Sequence, residues 1–99
     1  MMAEEDYAYP LRADWSTAEI VTVTTFYQQI EAAYERSQGV AAVDLVAAYR
    51  KFQEIVPQKF EEKNIDQEFE AVSGYSIYRT MKQARQQAGQ VKMKGTTRS

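Results

Sequence analysis

The seven residues Ser73-Gly74-Tyr75-Ser76-Ile77-Tyr78-Arg79 constrain this chain more than any other stretch. Gly74 suits the left-handed residue that ends a helix, and Ser76 can begin the next one. The charge reverses at the same place. All 14 acidic residues lie at or before Glu70, and from Ser73 onward the charged residues are Arg79, Lys82, Arg85, Lys92, Lys94 and Arg98. Six basic against 14 acidic residues give positions 1–72 a charge of −8. Positions 73–99 carry +6, which matches the net charge of −2. Helices joined by a short turn tend to be antiparallel neighbours, so a basic helix is expected to fold back on an acidic one.

Upstream of this joint the apolar pattern is helical. Ser16 is a good N-cap, and Glu19 completes a capping box. Trp15 and Ile20 have the spacing of a hydrophobic staple. Ile20, Val23, Phe26 or Tyr27, Ile30 and Tyr34 then recur every three or four residues, and Gly39 is the expected stop. The β-branched residues between Ile20 and Thr25 weaken local propensity, so packing must hold this helix. A second helix is predicted over 42–55, with Leu45, Val46, Tyr49, Phe52, Ile55 and Val56 inward and no convincing cap before it. Pro57 ends the pattern and opens a third helix over 58–72, with Phe60, Ile65, Phe69 and Val72 inward. The fourth begins near Tyr75 or Ser76 and places Ile77, Tyr78, Met81, Ala84 and Ala88 inward. Gly89 ends it. No strand pattern of any length is visible.

The predicted architecture is all-α, a small compact bundle of about four helices whose last two form a helical hairpin. Residues 16–88 form the helical domain. Residues 1–15 are an extended arm that packs on it, because Tyr7, Tyr9 and Leu11 alternate and Pro10 disfavours helix. Residues 89–99 read as a basic, flexible tail. A hydrophobic content of 44% over 99 residues supports one folded domain rather than a disordered chain.

Composition removes several chemistries. With no cysteine, disulfides and thiolate chemistry are excluded. With no histidine, the chain lacks the second common zinc ligand and the usual proton-transfer side chain. No spacing assembles a nucleophile, a base and an oxyanion site, and no glycine-rich phosphate loop is present. The reading is therefore a non-enzyme without catalytic residues, metal or cofactor. The acidic start Met1-Met2-Ala3-Glu4-Glu5-Asp6 lacks the blocks of a signal peptide, and the longest apolar run, Leu45 to Tyr49, is too short to span a bilayer. A cytoplasmic location is expected.

The order Tyr9-Pro10-Leu11, Asp14-Trp15-Ser16-Thr17 with Glu19-Ile20, Ala48-Tyr49-Arg50 with Phe52, Ile55-Val56-Pro57, Glu61-Glu62-Lys63, and Phe69 with Ser73 to Arg79 resembles the uncharacterised protein family 0223, small proteins of Gram-positive bacteria. The resemblance covers roughly residues 9–88. Ser37 to Val43 and the tail after Gly89 fit its pattern poorly. It implies a small all-helical domain and carries over no activity, ligand or catalytic residue.

Three features invite a functional reading. Glu62, Asp66 and Glu70 are four apart and share one helix face, where like charges repel mildly. Pairing with Arg79 and Lys82 of the next helix is expected to offset them, ahead of plain solvation or a divalent metal. In the turn, Tyr75, Tyr78 and Arg79 are candidate protein-binding residues, because Tyr and Arg are common interface anchors. Tyr75 and Arg79 also have the spacing to stack. Downstream, Lys82, Arg85, Lys92 and Lys94 are candidate anion-binding residues. The expected function is a non-catalytic interaction domain that binds an unidentified protein or itself. The alternative is a nucleic-acid-associated accessory protein using the basic helix and tail. A small-molecule site between helices is a third.

Overall fold

The computed structural model describes residues 8–86 and 89–94. Tyr7, Ala88 and the tail beyond Lys94, all invoked above, lie outside them. Four helices follow in order: α1 (Thr17–Glu35), α2 (Ala42–Ile55), α3 (Lys59–Ser73) and α4 (Ile77–Gln86). Two short strands, β1 (Val40–Ala41) and β2 (Gln90–Val91), pair antiparallel with Val40 opposite Val91 and Ala41 opposite Gln90. The molecule is an all-α bundle carrying one minimal sheet.

α1 starts as its sequence dictates. The Glu19 amide donates to Ser16 Oγ at 3.1 Å, and the Ser16 amide donates to Glu19 Oε1 at 2.9 Å. The inward stripe Val23, Phe26, Tyr27, Ile30 and Tyr34 is buried along the whole helix. Around it pack Leu45 and Phe52 of α2, Ile65 and Phe69 of α3, and Ile77, Met81 and Ala84 of α4. Rings dominate this core. Phe26 stacks on Phe52 and Tyr27 on Phe69, each pair with centroids 4.9 Å apart.

α2 lacks a side-chain cap, as its sequence suggested. Its first amide is satisfied from far along the chain. Ala42 N–H donates to the Gly89 carbonyl at 2.7 Å, so the segment expected to be a flexible tail supplies the missing acceptor. That segment continues in the core. Val91 is fully buried and Met93 nearly so, while Lys92 and Lys94 point out. The Met93 amide donates to the Ala33 carbonyl at 2.8 Å. The tail therefore belongs to the domain at least through Met93. Alternation of inward and outward side chains is strand behaviour, here too short to read from sequence.

Other inward assignments fail for geometric reasons. Phe60 is 67% exposed because it lies five residues before Ile65, which rotates it about 140° from the inward stripe. Tyr78 is 60% exposed because Ile77, Met81 and Ala84 form the buried row, and Tyr78 sits about 100° from Ile77. Val72, at the last turn of α3, is 39% exposed. In the arm, Tyr9 packs on Tyr27 and Phe69, but Leu11 faces out. Pro10 is the buried neighbour, its carbonyl accepting the Tyr27 hydroxyl at 2.7 Å. Arg12 clamps the arm with two hydrogen bonds to the Glu68 carboxylate, at 3.1 and 3.0 Å, and reaches Glu61 at 3.5 Å.

Candidate functional site

The turn between α3 and α4 is built as the sequence predicts. Gly74 adopts the left-handed conformation at φ 84°, and its amide donates to the Glu70 carbonyl at 2.8 Å. Ser76 Oγ accepts from the Arg79 amide at 3.0 Å and so caps α4. The turn is also locked to α1. The Ser76 amide donates to the Tyr34 hydroxyl at 3.2 Å, and the Tyr75 ring stacks on Tyr34 at 4.4 Å. The Tyr75 hydroxyl donates to Glu35 at 2.7 Å. Tyr75 is thus a structural residue half-buried on α1, whereas Tyr78 and Arg79 stand exposed.

From this joint the two helices part. α4 leans mainly on α2 rather than on α3. An open groove of about 540 Å³ lies between them. Lys59, Glu62, Lys63, Asp66 and Glu70 form its α3 wall. Ile77, Tyr78, Arg79, Met81 and Arg85 form its α4 wall, and Tyr49 of α2 lies at the open end, away from the turn.

The expected pairing of the acidic stripe with α4 cations does not occur as ion pairs. Among the described residues the ion pairs are those of Arg12 with Glu61 and Glu68. Two of the three stripe carboxylates are held by other groups. Glu62 accepts the Tyr49 hydroxyl. Burial, reinforced by this carboxylate, pushes the Tyr49 phenol up to about 12. Asp66 accepts the Ile77 amide at 3.1 Å, so an α3 side chain serves the N-terminus of α4. The stripe offsets its repulsion with a hydroxyl and a helix end instead of with lysine or arginine. Among the described residues its carboxylates do not converge into a group arranged to hold a metal ion.

Asp66 is half-buried, and burial raises its pKa above the ordinary 3.8 despite the amide hydrogen bonds that lower it. A carboxyl with a raised folded-state pKa stabilises the fold fully below its unfolded value. That contribution is lost as pH rises through the folded value. Asp66→Asn keeps an acceptor for Ile77 N–H and removes the charge. Its unfolding midpoint is expected to equal or exceed that of the parent at pH 7, with the gap closing by about pH 3. Thermal melts at both pH values decide this. An earlier melt for the variant at pH 7 refutes the burial argument.

The candidate anion-binding residues separate in space. Arg85 lines the groove, where its guanidinium lies 5.9 Å from the centroid of the Tyr49 ring. Lys82 is exposed on α4 outside the groove. Lys92 and Lys94 follow the strand that packs beside α1 and α4, where the Lys92 carbonyl accepts from Gln83 at 3.4 Å. Tyr49 was read only as a core position. Its place at the groove depends on which side of α2 meets α4, which no local pattern signals.

Fold and site together define a small all-helical domain with a mixed-charge groove beside the turn between α3 and α4. Comparison with known proteins gives the family. The model of the uncharacterised protein family UPF0223 matches residues 6–93, and the chain belongs to this family. It is 54% identical over 82 residues to a UPF0223 protein of Lactiplantibacillus plantarum, covering 83% of this chain and 82% of that protein. It is 53% identical over 81 residues to UPF0223 protein YktA of Bacillus subtilis, covering 82% and 90%. A Streptococcus sanguinis relative, also a UPF0223 protein, is 46% identical over 81 residues, covering 82% and 86%. No helix among the described residues is long and apolar enough to cross a membrane.

Proposed function

We propose that this chain is a cytoplasmic, non-catalytic interaction domain, and that the groove between α3 and α4 is where it holds another protein. The observation that carries this reading is the groove itself, which presents exposed Tyr78 and Arg79 beside an open cleft. Most rings are committed to the core, and Tyr34 and Tyr75 pack on each other. Tyr78 stands alone among the three turn candidates with a ring largely open to solvent and a groove position.

The test is capture from the native cytoplasm, with the intact chain compared against a Tyr78→Ala, Arg79→Ala double variant. Both side chains are exposed, so the variant should keep its melting temperature, within about 0.5 kcal/mol per site. Proteins retained by the parent and lost by the folded variant are the expected result. Equal retention by both removes the groove as the docking site.

A further inference from the structure

We infer that the segment received by this groove is short and acidic, its carboxylates meeting Lys59, Lys63, Arg79 and Arg85. The inference rests on the docking reading above and adds the chemistry of the partner.

Cations outnumber carboxylates in the groove and concentrate at one end of it. The groove lining holds those four cations and three carboxylates, Glu62, Asp66 and Glu70. Glu62 accepts the Tyr49 hydroxyl and Asp66 the Ile77 amide, neutral donors that fix the two carboxylates in place without cancelling their charge. Glu70 alone lacks such a tie, and it sits at the closed end beside the turn. The four cations are exposed, and among the described residues none is in an ion pair. Lys59, Lys63 and Arg85 stand toward the open end, where Tyr49 adds a ring. Four cations against three carboxylates leave the lining at +1, and the excess collects at the Tyr49 end, where Lys59, Lys63 and Arg85 stand with Glu62 alone, so that end favours anions locally.

A short segment suits the site better than a polyanion. α3 is 15 residues long, about 22 Å at 1.5 Å per residue, a length that about seven extended residues match. A nucleic acid running past the groove meets the acidic remainder of the chain. Four phosphate contacts also bind weakly and with steep salt dependence.

The experiment is an amide NMR titration of the intact protein with four defined probes. They are a short peptide of glutamates around a central leucine pair, its glutamine counterpart, its lysine counterpart, and a short oligothymidine. The glutamate peptide is expected to shift amides of both groove walls. Arg79→Glu with Arg85→Glu, checked for unchanged melting, should weaken that binding about tenfold. Equal binding of the glutamine peptide at the groove overturns the acidic assignment and leaves the docking reading standing. Tighter binding of the lysine peptide overturns it likewise, and tighter oligothymidine binding replaces it with nucleic-acid association. Shifts outside the groove, or none from any probe, overturn both readings.

Discussion

Gly39→Ala is expected to lower the thermal unfolding midpoint by about 10–20 °C, corresponding to roughly 2–3 kcal/mol in a domain of this size. Gly39 has φ 71°, a conformation that costs an L-residue about 1–2 kcal/mol. The larger difficulty is space. A Cβ there falls 2.1 Å from the Val91 carbonyl oxygen, 2.7 Å from its carbon and 3.0 Å from Lys92 Cα. All three are backbone atoms, so no side-chain rotation relieves the contact. β2 must lift, which opens the Val40–Val91 pair and draws a fully buried valine from the core. Gly89→Ala is the control. Gly89 also has positive φ, at 89°, but open space surrounds its absent Cβ. It should lose only the conformational share, about 1 kcal/mol. Equal midpoints for the two variants would contradict the close approach of the tail to Gly39.

Tyr27→Ala is expected to cost about 3–5 kcal/mol, a large part of the roughly 5–15 kcal/mol typical of such domains. Tyr27 is fully buried at the meeting point of the arm, α1, α2 and α3. Its ring centroid lies 5.1 Å from that of Tyr9 and 6.5 Å from that of Phe52, in addition to the Phe69 stack. Burial pushes its phenol well above the ordinary range, and the hydroxyl donates to Pro10. Tyr27→Phe keeps the ring and strands that carbonyl, at a cost of about 1–2 kcal/mol. Urea midpoints for the two variants separate the contributions. If Phe and Ala prove equally damaging, the hydroxyl and not the stack holds the arm and core together.

The elements that were legible in the sequence are those closed by local bonds. Ser16 and Glu19 satisfy each other three residues apart, so α1 could be started from its own text. Gly74 and Ser76 end one helix and cap the next within three positions. Pro57 punctuates α2 and α3 where it was placed. Gly39 was read as a helix stop by the same logic, but α1 ends at Glu35, and Gly39 is there to admit the tail. A glycine looks alike in both roles until its distant neighbour is known.

The site was legible only in part. Glu62, Asp66 and Glu70 share a face as their spacing requires, and they do look toward α4. What they meet was not readable. Asp66 finds an amide 11 residues away, and Glu62 a tyrosine on α2. Tyr75 and Arg79 have the spacing to stack, yet Tyr75 turns to Tyr34 and Glu35 on α1. A buried ring gains more from a second ring and a satisfied hydroxyl than from an exposed cation.

By itself the sequence determined four helices, the N-caps of α1 and α4, the turn between α3 and α4, the charge reversal at Ser73, the family, and the absence of cysteine and histidine chemistry. Each of these depends on neighbours within one or two turns or on composition alone. Only the tertiary structure decided that Gly89 to Met93 close the domain, with the Gly89 carbonyl capping α2. It alone decided that α4 rests on α2 and leaves a groove against α3, and that among the described residues the groove cations form no ion pair with a carboxylate. Those outcomes join residues far apart in the chain. They are set by which surfaces the core can bury together, a competition that no local pattern records.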